Sequence, residues 1–348
     1  MSRARDLADL GGSADAGTVT GDNLIINGAM QVFQRSPVTG IGDPSAYTLD
    51  RWYMAREASG MSARFTVTQE SLSSSDLPRT TDGLSTTMKI DVTTASGGIS
   101  AAQSHYMMQR IEGQNIHQLN YGSSDGKTCT VSFWLKTDTK TGTMCVSVYH
   151  GGGYNYIQEI SATTSWTKYT LQIPADTATS FSNNNSNGFQ LMFVLSGGSN
   201  LQATKDQWNS GFDNCTSNQA DFTDSTSNNI YLTGVKLEVG TTATPFQHES
   251  YAETLRKCQR YYHELFKADS ANNFLFGVNF GANSSNVMYQ ADFPVEMRAN
   301  PTVTVGTTGS GAGTLSTNYT GTNGVSLYYT GASTASVWLK DVTLDAEL

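Results

Sequence analysis

The sequence predicts an all-β chain, a jelly-roll β-sandwich followed by a short linking helix and a small C-terminal β-sandwich. Three observations predict it. Short runs of alternating apolar and polar residues recur from Asn23 to Val239 and again after Lys267. The turns between them are rich in Ser, Thr, Asn and Gly, with 33 Gly against 7 Pro, and Gly and Asn reach positive φ at little cost. Between the two alternating regions stands one apolar pattern of helical spacing.

Residues 1–22 are polar and Gly-rich, with one brief helical turn at Ala4 to Leu10, too little to bury a core, and are expected to form an arm. Strands are expected in "NLIINGAMQVFQRS", "YTLDRWYMARE" and "ARFTVTQES", where Phe65 and Val67 alternate with polar neighbours. "TTMKIDVTTA" sets Met88, Ile90 and Val92 on one face. "KTCTVSFWLKTD" does the same with Cys129, Val131, Phe133 and Leu135, leaving Trp134 opposite as an exposed or inter-module aromatic. "GTMCVSVYHG", "YNYIQEISAT", "WTKYTLQIP", "GFQLMFVLSG" and "NIYLTGVKLEVG" continue the series, and about ten short strands with tight turns imply a sandwich or jelly roll.

A long aperiodic interruption, Asn200 to Asn229, carries Trp208, Phe212 and Phe222 and is expected to be a functional loop. "LEVG" then closes the first domain and "TTATPFQHE" is expected to lead the chain away from it. Ser250 and Glu253 fit an S-x-x-E capping box. Leu255, Cys258, Tyr262 and Leu265 follow at 3, 4 and 3 spacing as one apolar seam of a helix. Strands resume after Lys267, with "GTTGSGAGTLSTNYTGTNG" read as hairpin turns. The expected domains are thus residues 1–22, 23–248, 249–267 and 268–348.

Charged residues make up only 15% of the chain, and its net charge is −9 without any Lys/Arg run, so nucleic acid is not an expected partner. No run of 18 apolar residues occurs, and the first residues lack an apolar signal core, so neither membrane insertion nor secretion is expected. Cys129, Cys145, Cys215 and Cys258 are too widely spaced for a zinc motif and read as isolated thiols of a chain made in a reducing cytoplasm. "GSSDGKT" has Tyr121 where a phosphate-binding loop needs Gly, "GSGAG" lacks dinucleotide spacing, and the five histidines form no ligand pattern. Nothing nominates a catalytic residue or a carboxylate pair, so no enzymatic activity is expected.

Binding chemistry has better candidates. Tyr154 and Tyr156 in "HGGGYNYIQ", with Trp208 and Trp134, could supply flat aromatic surfaces for sugar rings. Asp213, Asp221 and Asp224 lie in an oxygen-rich setting suited to calcium; no other metal or cofactor is expected.

Several phrases occur in one order: "NLIINGAMQVFQR", "YTLDRWYM", "QRIEGQNI", "TVSFWLKTD", "WTKYTLQIP", "IYLTGVKLEVGTTATPFQHESYAETLRKCQRYY" and "FPVEMRANPTVTV". Together, from about Asn23 to about Val305, they resemble bacteriophage tail fibre and related virion structural proteins. The resemblance implies a jelly roll like a carbohydrate-binding module, a linking helix and a β-rich tip, assembled as a homotrimer on the virion. It further implies that residues 1–22 dock to a tail or head attachment protein while the distal end meets the host. A threefold axis would also bury the seam Leu255, Cys258, Tyr262 and Leu265. The expected function is receptor recognition through host-surface polysaccharide; the alternative is a capsid decoration or head-fibre protein without receptor binding.

Overall fold

Alternating side chains settle most of the strands, and the computed structural model, which describes residues 22–35, 37–265, 274–278, 285–309, 314–332 and 336–348, shows how they pair. The chain divides into two compact units, Met1–Glu249 and Ser250–Leu348. Of the expected arm, residues 1–21 lie outside the described residues, as does the "SGAG" portion, 310–313, of the Gly-rich segment.

The first unit contains β1 (Val38–Ile41), β2 (Ala46–Tyr47), β3 (Tyr53–Glu57), β4 (Arg64–Ser71), the helix α1 (Leu77–Asp82), β5 (Thr86–Thr94), β6 (Ser104–Glu112), β7 (Cys129–Thr137), β8 (Gly142–His150), β9 (Tyr154–Ala162), β10 (Thr167–Ile173), β11 (Asn187–Gly197), β12 (Trp208–Ser210) and β13 (Asn229–Val239). They form a six-stranded sheet in the order β1-β4-β5-β13-β7-β10 and a seven-stranded sheet in the order β12-β9-β8-β11-β6-β3-β2. The interleaved order gives a jelly-roll sandwich of antiparallel strands. Phe65, Val67, Met88, Ile90, Val92, Val131, Phe133 and Leu135 all point into the core between the sheets, as their alternation predicts. Met107, Val146, Val148, Leu191 and Phe193 meet them from the other sheet.

β13 shows why strict alternation is not enough. Ile230 and Leu232 face the core, but so do Val235 and Leu237, because the ladder to β7 shifts between Thr233 and Lys236. Gly234, at φ +61, sits in the shift, where a left-handed residue lets the strand change register.

"NLIINGAMQVFQR", residues 23–35, is not a strand but an irregular segment tied to β13. Asn side chains replace ladder bonds: Ile25 N donates to Asn23 Oδ1 at 3.0 Å and Val32 N to Asn27 Oδ1 at 2.9 Å, the local competition typical of Asn. "YTLDRWYMARE" splits into β2 and β3 at a turn where Trp52 N donates to Leu49 O at 2.8 Å.

Two segments expected as loops pack against the sandwich, the first of them while also carrying Trp208. The Asn200 to Asn229 segment buries Asn214, Cys215 and Phe222 completely. It covers the outer face of the seven-stranded sheet, where Cys215 packs with Tyr106, Met108, Cys145, Ile157 and Met192. The "TTATPFQHE" segment does not lead away from the sandwich. Thr244 N donates to Glu238 Oε1 at 2.8 Å, Lys236 Nζ donates to Pro245 O at 3.1 Å and pairs with Glu238 Oε2 at 3.1 Å, and His248 Nε2 meets Asp82 O at 2.6 Å. All four cysteines are free and buried.

The second unit opens with α2 (Tyr251–Gln259), whose Ser250 side chain accepts from Glu253 N. Its strands are β14 (Tyr262–Glu264), β15 (Phe274–Val278), β16 (Ser285–Asp292), β17 (Thr302–Gly309), β18 (Thr314–Thr320), β19 (Gly324–Ala332) and β20 (Ser336–Asp345). β17 runs along one side of β20, while β14 and β15 share its other side. The second sheet is β16-β19-β18. Met297, Val325, Leu327, Val342 and Leu344 fill the core of this small sandwich.

The expected helical seam is cut short. α2 ends at Gln259, and Tyr262 lies in β14 opposite Asp345. The reason is tertiary pairing: Ala346 N donates to Tyr261 O and Arg298 N to Arg260 O, both at 2.8 Å. Backbone pairing thus overrides a 3/4 periodicity that Tyr262, a good strand former, satisfied only by spacing. Cys258 and Tyr262 are buried, and Leu265 packs on the core of this unit.

Candidate functional site

Three of the four aromatic candidates come together at one end of the first sandwich. β8 and β9 are joined by the Gly151 to Gly153 turn, which places His150 opposite Tyr154. β12 pairs with β9 so that Trp208 lies opposite Tyr156. The turn requires glycine: a Cβ on Gly152 would lie 2.4 Å from Thr179 Cγ2 and 2.8 Å from Ser180 O. That close approach lets the Pro174 to Phe181 segment close over the sheet edge.

The same segment is organised by one carboxylate. Asp176 Oδ1 accepts from Ala178 N at 2.8 Å and from Thr179 N at 3.3 Å, while Oδ2 is 2.9 Å from His150 Nε2. Gly152 N donates to His150 Nδ1 at 3.0 Å, so the imidazole is the tautomer with its proton on Nε2. Both nitrogens are occupied and the ring is fully buried. Burial holds its pKa below the ordinary histidine value, against the opposing pull of Asp176. His150 is therefore a neutral strut, with no free nitrogen for proton transfer.

Trp208 is fixed around that strut. Its ring meets His150 at 5.1 Å, Tyr156 at 5.3 Å and Tyr121 at 5.7 Å between centroids, and its Nε1 donates to Pro174 O at 3.1 Å. Tyr154 lies parallel to the His150 ring, 6.1 Å away at 11°. Trp208 and Tyr154 are half-buried and Tyr156 is buried. The result is a rigid, partly exposed aromatic surface beside neutral polar groups, including Gln207, which donates to Asn209 Oδ1 at 3.0 Å. Ring faces of this kind suit the C–H face of a sugar, and amides suit its hydroxyls.

Trp134 is not part of the site. Its side lies outward as its spacing predicts, but it is 5% exposed, packed with Leu72, Leu84 and Trp166. Its Nε1 donates to Asp82 Oδ2 at 2.7 Å. The segment carrying α1 covers it, which strand alternation cannot reveal. Tyr121, His150, Asp176 and Phe181 complete the cluster without having been candidates. The glycine triplet after His150 was the one available signal for them.

The three carboxylates offered for calcium belong to separate networks. Asp213 lies beside the Asn155 side chain, Asp221 accepts from Ser96 Oγ and Thr223 Oγ1, and Asp224 pairs with Lys140. Among the described residues, no group of three or more His, Cys, Asp or Glu side chains could hold a metal ion.

No family model and no curated protein matches the chain. Among solved structures, the enzymatically active domain of tailspike protein 4 of bacteriophage CBA120 is similar over 62% of this chain and 21% of its own, at 13% identity and a TM-score of 0.32. The chain thus spans about a fifth of that structure's length. A structure described as CBM4 is similar at 15% identity and a TM-score of 0.31, over 61% of this chain and 97% of its own. A family 11 carbohydrate-binding module from Clostridium thermocellum, in complex with a β-1,3-1,4-mixed-linked tetrasaccharide, gives 10% identity and 0.30, over 61% and 100%. The β-sandwich assignment itself rests on the sheets described above.

Proposed function

We propose that the chain is a non-enzymatic virion fibre protein whose first unit binds host-surface glycans at the Tyr154, Tyr156 and Trp208 end of its sandwich. The observation that carries the reading is the anchored, half-exposed Trp208 ring with Tyr154 beside it. The ordered tail-fibre-like phrases support the rest of it, with residues 1–22 as the virion anchor and a homotrimer as the working assembly. Trimerisation multiplies weak sites into avidity without adding contacts.

The test pairs a glycan array with adsorption of particles to host cells. Tyr154→Ala with Trp208→Ala should weaken glycan binding tenfold or more, about 1.4 kcal/mol, and slow adsorption; because Trp208 also packs against the core, circular dichroism at the assay temperature must show the variant folded. Tyr156 is left intact because it is buried. Unchanged adsorption by this variant, with antibody labelling confined to the capsid, would replace the reading with that of a decoration protein.

A further inference from the structure

The charges around the Trp208 surface are of one sign. The segment 200–229, which carries Trp208, holds four Asp and one Lys. That cation, Lys205, is held by Glu159 Oε2 of β9 at 2.8 Å, Asp224 pairs with Lys140, and Asp221 accepts from the hydroxyls of Ser96 and Thr223. Asp206 and Asp213 have no cationic partner among the described residues. Asp176 faces His150, which is neutral and leaves its charge uncompensated. Asp213 is half-buried, whereas Asp206 is exposed and open to a ligand.

The position of Asp206 follows from a tight turn. Its φ is +60, a conformation that Asp and Asn tolerate better than most residues. Asp206 N donates to Ile157 O at 2.9 Å, and its Oδ1 accepts from Gln158 Nε2 at 3.4 Å. Gln158 is two residues beyond Tyr156 on β9, and alternate residues of a strand lie about 7 Å apart on one face. The carboxylate therefore stands about one sugar unit along from the Tyr156–Trp208 pair. Its charge reaches the rings: burial first, and Asp206 after it, hold the Tyr156 phenol above its ordinary value. A carboxylate without a cation, beside half-exposed aromatic faces, attracts an ammonium group through ion pairing and the ring quadrupole together. The same carboxylates disfavour an acidic sugar.

We propose that the sugar unit bound at Trp208 carries a free, protonated amino group, which pairs with Asp206 while the C–H face of the ring lies on Trp208 and Tyr154. The proposal rests on the glycan reading of this surface and specifies its ligand class, amino sugars in preference to their N-acetylated and neutral counterparts. Exposed ion pairs and cation–π contacts set that preference at about fivefold, and salt screens it.

Saturation-transfer difference NMR titrations of the full chain at about pH 6 test it with three β-1,4-linked trisaccharides that differ at C2: tri-glucosamine, tri-N-acetylglucosamine and cellotriose. At low ionic strength tri-glucosamine should bind about fivefold more tightly than either of the others, and the ratio should fall toward one in about 0.5 M salt. Asp206→Asn keeps a residue that accepts positive φ and should bring the ratio to about one at low salt. Absence of tri-glucosamine binding, a ratio of one in the parent chain, or a preference unmoved by Asp206→Asn would overturn the amino-sugar assignment. If tri-glucosamine fails while other glycans bind and are lost in Tyr154→Ala with Trp208→Ala, the amine is rejected and the glycan reading stands. A glycan array without any hit would reject the reading itself.

Discussion

His105 and His150 stand at opposite ends of one sandwich, both fully buried and both held neutral by burial. Charged neighbours modulate His105: Asp221 and Asp43 favour its protonation and Arg64 opposes it, all less than burial does. Because the folded-state pKa is below the unfolded one, the unfolded chain binds protons first as the pH falls. Stability is therefore complete above about pH 6.5 and declines toward pH 4, the value to which His105 is lowered. At about 1.36 kcal/mol per pH unit, His105 alone accounts for roughly 3 kcal/mol of that loss. Urea unfolding of the full chain at pH 7, 6, 5 and 4 should show this slope, and His105→Phe, if it folds, should flatten it. A parent chain whose urea midpoint holds constant from pH 7 to pH 4 would contradict the argument.

At the scale of elements, the core-facing strands were legible and their covers were not. Met88, Ile90 and Val92, or Val131, Phe133 and Leu135, declare their buried face because side chains alternate regardless of what lies beyond the sheet. Nothing in the alternation of β13 announces that Lys236 and Glu238, on its outer face, are 0% and 1% exposed. They are sealed by the segment that follows, through Thr244 and Pro245. The aromatic site was half legible for the same reason: Tyr154 and Tyr156 lie on one strand, whereas Asp176 and Tyr121 arrive from distant segments. The sealed ion pair yields a prediction. Lys236→Met leaves Glu238 buried without its cation and should destabilise the first unit by about 3–5 kcal/mol. Lys236→Met with Glu238→Leu should recover part of that loss, because removing both charges also removes their desolvation. Urea midpoints of the two variants measure the difference, and a double variant less stable than the single one would refute the coupling.

At the scale of the whole molecule, the helix that separates the two alternating regions has changed role. α2 belongs to the second unit, and half of its expected seam, Cys258 and Tyr262, is already buried in the single chain. A surface between copies through this helix must therefore use its outer residues: Tyr251, 56% exposed, and the half-buried Leu255. Nine residues of helix cannot associate on so narrow a stripe alone, so the proposed trimer would need contacts beyond α2 as well. Sedimentation velocity on the parent chain should give a trimer. Tyr251→Asp with Leu255→Asp should shift the population toward monomer while leaving secondary structure unchanged, because neither side chain belongs to the second unit's core. A trimer that survives this pair intact would move the threefold contact away from the helix, and a monomeric parent chain would remove the avidity on which weak glycan sites depend.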